Sequence, residues 1–474
     1  MFLDAFTPAP EVRPMFNIGA GFDIQTGRYL TGEFGESVLC GGVPLLTGVA
    51  GRGNTYKSTV ADFFKLTVLD RYQGTALMEY DTEQSKSPMR FSELSRHMRN
   101  IRGVDLVDAG RLRISDATVY SGNKWFDTLK QVAAEREKAK DKLMMTTPFF
   151  DRKGNQIRCM SPGMAGIDSF SQLRTDVVLD LTDKGTAGGS ERNVEAMRDA
   201  SSKTQILNEI PELSASAGIY FFMTAHVGDK IQIDPYAPNP KKLGFLGQGA
   251  ALKNVPEKFT FLTNNLWQTL SATPMINQTT KAPEFPRNPD DDLRGNTDLM
   301  EVKMMNLRGK TGPSGLPFTV VCSQSEGLLA GLTEFCYIRQ FERFGLGGNL
   351  QNYFLDLCPD VSLSRTTIRG KLEQNWRLRR AMEITAELCQ IINLWHHVDR
   401  SLLCTPKQLF DDLKARGYDW DELLGGTRGY WVFREHEESE PLKFVSTWDL
   451  LKMRQGVYVP YWMKGFTPKD VTLS

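Results

Sequence analysis

The chain has few histidines, no paired cysteines, no net charge and no long apolar run, and each shortage removes a class of protein. Five histidines among 474 residues complete no zinc spacing with the seven cysteines, and no two cysteines form a CxxC pair. Cys40, Cys159, Cys322, Cys336, Cys358, Cys389 and Cys404 are scattered and odd in number, which suits reduced thiols in a cytoplasmic compartment better than a disulfide framework. Lys plus Arg and Asp plus Glu both total 57, so the chain is not polybasic, although a neutral total can hide a local basic groove. No stretch approaches the roughly 18 apolar residues that span a bilayer. The opening MFLDAFTPAPEVRP lacks the charged start and apolar run of a signal peptide. Repeats and low-complexity tracts are lacking too. A cytoplasmic protein with no membrane partner is predicted. Its length is enough for one sizeable α/β core and a smaller second unit.

What is present alternates. Residues 1–35, rich in Pro and Gly, predict an arm rather than a packed layer. VPLLTGVA (43–50), TALMEYD (75–81), MAGIDSF (164–170) and GIYFFMTAH (218–226) are short apolar runs that suit buried parallel strands. Helices are predicted over 59–69, 124–143 and about 190–213, with a surface hairpin at 148–159. A second hairpin over 301–323 closes the core near residue 330. From about residue 362 the pattern is mainly helical, with a small hairpin over 429–446. Strand–helix alternation of this kind predicts a mostly parallel sheet with helices on both faces, and ligands at the carboxyl ends of its strands.

The chemistry-bearing groups fall at such ends. Gly51–Ser58 reads GRGNTYKS, which fits the phosphate-loop pattern GxxxxGK[ST] except for Tyr56 in place of the second glycine. Gly51, Arg52, Gly53, Asn54, Thr55, Tyr56, Lys57, Ser58 and Thr59 are the candidate ATP-binding residues. Backbone N–H groups would wrap the phosphates, Lys57 would reach the β/γ oxygens, and the Ser58 hydroxyl would hold Mg2+. Glu83 follows the EYD strand end, where a carboxylate can polarise an attacking water. Asp168, in GIDSF, is a candidate Mg2+ ligand. His226, ending FFMTAH, is placed to sense a γ-phosphate. Arg308 and Lys310, in NLRGKTG, are candidates to reach a neighbouring subunit's γ-phosphate. Taken singly, each motif has a bland counterpart: a loop acid, a turn cap, a structural histidine, a solvated hairpin tip.

In this order the motifs resemble the RecA family, most closely phage UvsX-like recombinases, over roughly residues 40–330. The aromatic residue before the lysine in TYKST, the histidine of TAH, and the stretch GFLGQG followed by ALKN carry that likeness. The resemblance implies a RecA-like P-loop NTPase core (36–330) and a smaller, mainly helical C-terminal domain (331–474) with a winged-helix-like look. It also implies a DNA-dependent ATPase that forms a homo-oligomeric helical filament on single-stranded DNA and pairs it with duplex DNA, in a phage-infected host cell.

Two loops would then contact DNA. Arg174, Lys184 and Arg192 are the candidates in the first, and Lys230, Lys241, Lys242 and Lys253 those in or beside the second. FTPA (Phe6–Ala9) resembles a subunit-docking element of this family. LSRTTIRGKLEQNWRLRR (363–380) is the one basic concentration of the C-terminal unit. Its SRTTIRGKL looks like a recognition helix presenting Arg365 and Arg369 to DNA, with a wet basic helix face as the competing reading. Two rivals stay open: a hexameric replicative helicase on the same core, and a nucleotide-binding DNA organiser in which Tyr56 prevents turnover.

Overall fold

A computed structural model describes residues 10–176, 191–229, 243–288, 297–349 and 351–474, and the backbone alone over Glu191–Ala196. In chain order the strands are β1 (Arg28–Thr31), β2 (Ser37–Cys40), β3 (Leu46–Gly51), β4 (Ala76–Asp81), β5 (Leu112–Asp116), β6 (Met144–Phe150) and β7 (Gln156–Met160). They continue with β8 (Gly163–Asp168), β9 (Ile219–Asp229), β10 (Ala250–Leu252), β11 (Asn265–Pro274), β12 (Leu299–Gly309), β13 (Pro317–Ser323) and β14 (Gly327–Leu328). The central sheet runs β14-β13-β12-β11-β3-β9-β8-β4-β5, with β10 beside β9. From β5 to β11 every neighbour is parallel, and β12, β13 and β14 add an antiparallel edge. This is the α/β class expected, with a large, mostly parallel sheet.

The parallel strands are buried because helices cover both faces, and their composition follows. All of β3 and β8 is buried, as is Ile219–Ala225 of β9. Such strands need apolar residues on both sides, hence continuous rather than alternating runs. The helix Lys57–Arg71 packs against β3 and β9, and Gly122–Lys138 pairs with Glu191–Ala217. Lys57–Arg71 is buried nearly all round rather than along one stripe, and it encloses three charged residues, Lys57, Asp62 and Lys65. The hairpin expected at 148–159 is β6–β7, and β12–β13 is the one expected over 301–323.

The described part of the expected arm is instead a packed layer. Asn17, Ile18 and Phe22 are 1–2% exposed, and β1 and β2 form a hairpin there. Phe16, fully buried, lies 4.5 Å from Tyr72, 4.8 Å from Tyr220 and 5.4 Å from Trp431, ring centre to ring centre. Pro and Gly content describes backbone freedom, not burial. The apolar residues between those prolines and glycines decide the matter. Phe16→Ala is expected to cost about 3–5 kcal/mol of stability in a denaturant titration; a loss below about 1 kcal/mol would mean that this layer is peripheral.

Beyond residue 330 the chain is mainly helical, as expected. Ala330–Gln340, Ile368–Gln374, Trp376–Leu394, Pro406–Ala415, Trp420–Gly425 and Thr447–Arg454 are its larger helices, with a three-stranded antiparallel sheet over residues 346–363. Leu378, Leu388, Leu409 and Leu451 centre its own apolar core. The hairpin expected over 429–446 is not formed. Thr427–Arg428 and Lys443–Phe444 pair in parallel instead, with a short helix, Arg434–Glu437, between them. The cause is Trp431 and Phe433, which leave the C-terminal core and pack with Phe16 and Tyr72 in the main one. Among the described residues no helix is long and apolar enough to cross a membrane.

Candidate functional site

β3 delivers the Gly51–Thr59 loop to the carboxyl rim, and both of its sheet neighbours, β9 and β11, come later in the chain. That arrangement opens a crevice at the strand ends. Gly51 is required by crowding: a Cβ there would collide with the hydroxyls of Thr269 and Thr55. Those two hydroxyls bond each other at 2.7 Å, and Thr55 also donates to the Arg52 carbonyl, so the loop is tied to β11 and to itself. Tyr56 caps the helix at φ 64, ψ 22, the left-handed region that the expected glycine would have entered freely. The backbone turn is therefore kept with a side chain in place of the glycine. No side chain caps the N–H groups of the first turn, which leaves them facing the loop. Arg52 pairs with Asp229 in an exposed contact of little energetic weight.

Two predicted residues converge on this loop. In the β3–β9 ladder Gly51 stands opposite His226. Glu83 reaches both: its Oε1 is 2.7 Å from His226 Nε2 and 3.5 Å from Lys57 Nζ. Asp81 places it, accepting from the Glu83 N–H at 3.0 Å and the Lys86 N–H at 2.7 Å, which folds the segment after β4 into a tight turn. His226 donates its own backbone N–H to Ser171 Oγ at 2.8 Å. The hydrogen bond from His226 holds the Glu83 carboxyl below the usual range. Partial burial opposes this and the Lys57 charge reinforces it. Lys57 is 8% and Glu83 23% exposed, so the carboxylate is reachable from solvent while the ammonium is largely sheltered.

Asp168 ends β8 opposite Asp81 of β4, on the same rim. It is 1% exposed, and both of its oxygens are engaged. Oδ1 accepts from the Thr224 hydroxyl, and Oδ2 lies 2.9 Å from Lys86 Nζ. Lys86 also meets Asp62 at 2.6 Å, and Lys65 joins Asp62 at 2.9 Å to Glu79 at 2.5 Å. Burial alone would raise the Asp168 pKa, but Lys86, Lys65 and the Thr224 hydroxyl outweigh it and hold the carboxyl far below its ordinary value. Lys86 is shifted the other way: its burial is overcome by Asp62 and Asp168, which keep it charged. A cation seated directly on Asp168 would have to displace Lys86, so Ser58, half-buried in the first helical turn, is the freer of the two predicted metal ligands. Among the described residues no cluster of three or more His, Cys, Asp or Glu is placed to hold a metal.

Sequence reasoning missed this network. The one signal was Lys65, a cation set between Phe64 and Leu66 in an otherwise apolar helix. Removing one member strands the rest: Lys86→Met is expected to lower the unfolding free energy by about 3–5 kcal/mol. Equilibrium urea unfolding measures this, and a loss under about 1 kcal/mol would show that the pairs are not coupled.

The remaining predicted residues lie elsewhere. Arg308 pairs with Leu266 of β11, which in turn stands opposite Gly48 of β3, so Arg308 and Lys310 occupy the opposite end of the sheet from the loop. Neither has an ion-pair partner among the described residues. Partial burial and the nearby Arg308 and Arg13 depress the Lys310 pKa. Arg174 is exposed just beyond the end of β8, and Lys253 donates to the Asp229 carbonyl beside the phosphate loop. Lys184, Lys230, Lys241, Lys242 and the FTPA segment with Phe6 and Ala9 lie outside the described residues, as does the Arg192 side chain.

Arg369 is a correction. It is 6% exposed, bonded to Asp298 at 2.7 and 2.9 Å and to Glu326 at 2.5 Å, so its charge is answered inside the protein and is not presented on an exposed helix face. Its helix, Ile368–Gln374, is only seven residues long. Arg365 donates to the Pro283 carbonyl and is partly buried. The basic run is thus largely internal wiring, because the acids that answer it come from distant segments of the chain.

No family model matches the sequence, and no curated protein matches it. A solved crystal structure of the RadB recombinase aligns with 61% of this chain and 92% of that chain, at 13% identity and a TM-score of 0.32. A likeness this slight leaves function to the geometry of the site.

Proposed function

We propose that this chain is a DNA-stimulated ATPase of the phage UvsX-like recombinase type, assembling on single-stranded DNA to pair it with a homologous duplex. The observation that carries the reading is the contact of Glu83 with both Lys57 and His226 at the rim where the phosphate loop begins. Loop N–H groups and Lys57 would hold the triphosphate. Glu83, ionised at neutral pH, would orient and deprotonate the attacking water. His226 bonds the Glu83 oxygen and stands three residues before the end of β9, which leads into the second predicted DNA loop. A change at the phosphate that alters this bond would therefore reach the loop.

Mg2+, when bound, would neutralise charge on the β/γ oxygens. Ser58 would hold it, and Asp168 would act through water while Lys86 keeps its place. Arg308 and Lys310, at the far end of the sheet, fit a role on a neighbouring copy's phosphate and not on their own. Electron microscopy with oligo-dT and a slowly hydrolysed ATP analogue tests the assembly. Open helical filaments are expected; closed rings would favour the helicase reading.

A further inference from the structure

Away from the phosphate loop, a cavity of about 190 Å³ opens between the core and the C-terminal unit. That is far more than one water needs, since a site of roughly 10–15 Å³ on this scale admits a single molecule. Asp70 and Arg71, at the C-terminal end of the helix that starts at Lys57, form part of its wall. At 1.5 Å per residue the cavity is roughly 20 Å from that loop.

Its lining is unusually cationic: eight arginines against three carboxylates, Asp70, Glu373 and Glu383. The inner arginines are paired. Arg369 meets Asp298 and Glu326, Arg379 meets Glu334, Arg380 meets Glu383, and Arg428 meets Glu437. Arg71 has only long contacts, 3.9 Å to Asp23 and 3.9 Å to Glu383, and lies over the Tyr430 ring at 4.4 Å. Pairing does not exhaust these groups. Arg380 and Arg428 are 5% and 2% exposed, and the Nε of each has no hydrogen-bond partner; His97 Nε2 has only the Glu326 carboxylate, at 3.7 Å.

The outer arginines are different. Arg96, Arg99 and Arg102 are exposed and have no ion pair among the described residues. Arg99 sits 5.4 Å from the centre of the Trp376 ring, which is itself 41% exposed. Unpaired guanidinium groups and a half-open indole lining one cavity are suited to a group carrying both phosphate and an aromatic base.

We infer that this cavity is a second nucleotide-recognising site, taking phosphate oxygens at Arg96 and Arg102 and a base against Trp376. The nucleotide is either free or one unit of a single strand. The inference goes beyond the ATPase reading and does not depend on it.

Binding of fluorescein-labelled dT20 and of ADP is measured from 50 to 200 mM salt, the ADP arm in the Lys57→Ala background. Arg96→Ala/Arg102→Ala and, separately, Trp376→Ala are each expected to weaken at least one probe tenfold or more. For the strand, loss of two phosphate contacts makes the slope of log K against log salt shallower by roughly 1.4, at about 0.7 per contact. An effect confined to dT20 assigns the site to a strand, and an effect on ADP assigns it to the free nucleotide. Unchanged affinity for both probes in both variants overturns the inference. Should the unmodified chain hydrolyse no ATP while the tenfold loss stands, the phosphate-loop reading falls and the cavity site remains.

Discussion

Lys57→Ala is expected to reduce ATP turnover by at least 10²–10³-fold, the range for removing one preorganised donor to developing charge in a sheltered site. The effect is large because Lys57 is 8% exposed, so little water screens its charge, and its one ion pair among the described residues is the half-sheltered Glu83. Folding should survive, since the Ala side chain strands only a carboxylate that water and His226 already reach. Phosphate release under saturating ATP measures the loss. Turnover within tenfold of the unmodified chain would remove Lys57 from the reaction.

Glu83→Gln should lower kcat by about 10²–10⁴-fold while nucleotide binding persists, because the amide keeps the shape but cannot take a proton. The pH dependence has a definite sign. His226 holds the Glu83 pKa below the usual carboxylate value, so the base form is present at neutral pH and is lost only as pH falls through that lowered pKa. His226→Ala removes the largest depressing contact and should move the acid limb of the kcat profile to higher pH. An unmoved limb would show that another group sets it.

The rim of the sheet was legible in the sequence because its parts are local. Gly51–Thr59, EYDTE, GIDSF and TAH each lie at, or directly after, a short apolar run of the sequence. The β3–β9 and β4–β8 ladders bring those ends to one edge. Tyr56 looked like a departure, yet it occupies the left-handed conformation that a glycine would have taken. The pairing partners were not legible. That Lys86 answers Asp168 depends on the turn after β4. That Asp298 and Glu326 answer Arg369 depends on contacts 71 and 43 residues apart. Charge spacing along a helix cannot reveal an acid arriving from another segment, so a basic run read as a DNA face became internal ion pairs. β5 and β11 were missed for a related reason. Their residues are less uniformly apolar, and the sheet itself defines them as strands.

ATP hydrolysis measured as a function of added single-stranded DNA tests the proposed activity most directly. The site described here predicts a basal rate that rises several-fold and saturates with DNA, and that vanishes in Lys57→Ala. A chain that binds ATP but turns it over at no measurable rate, with or without DNA, would contradict it.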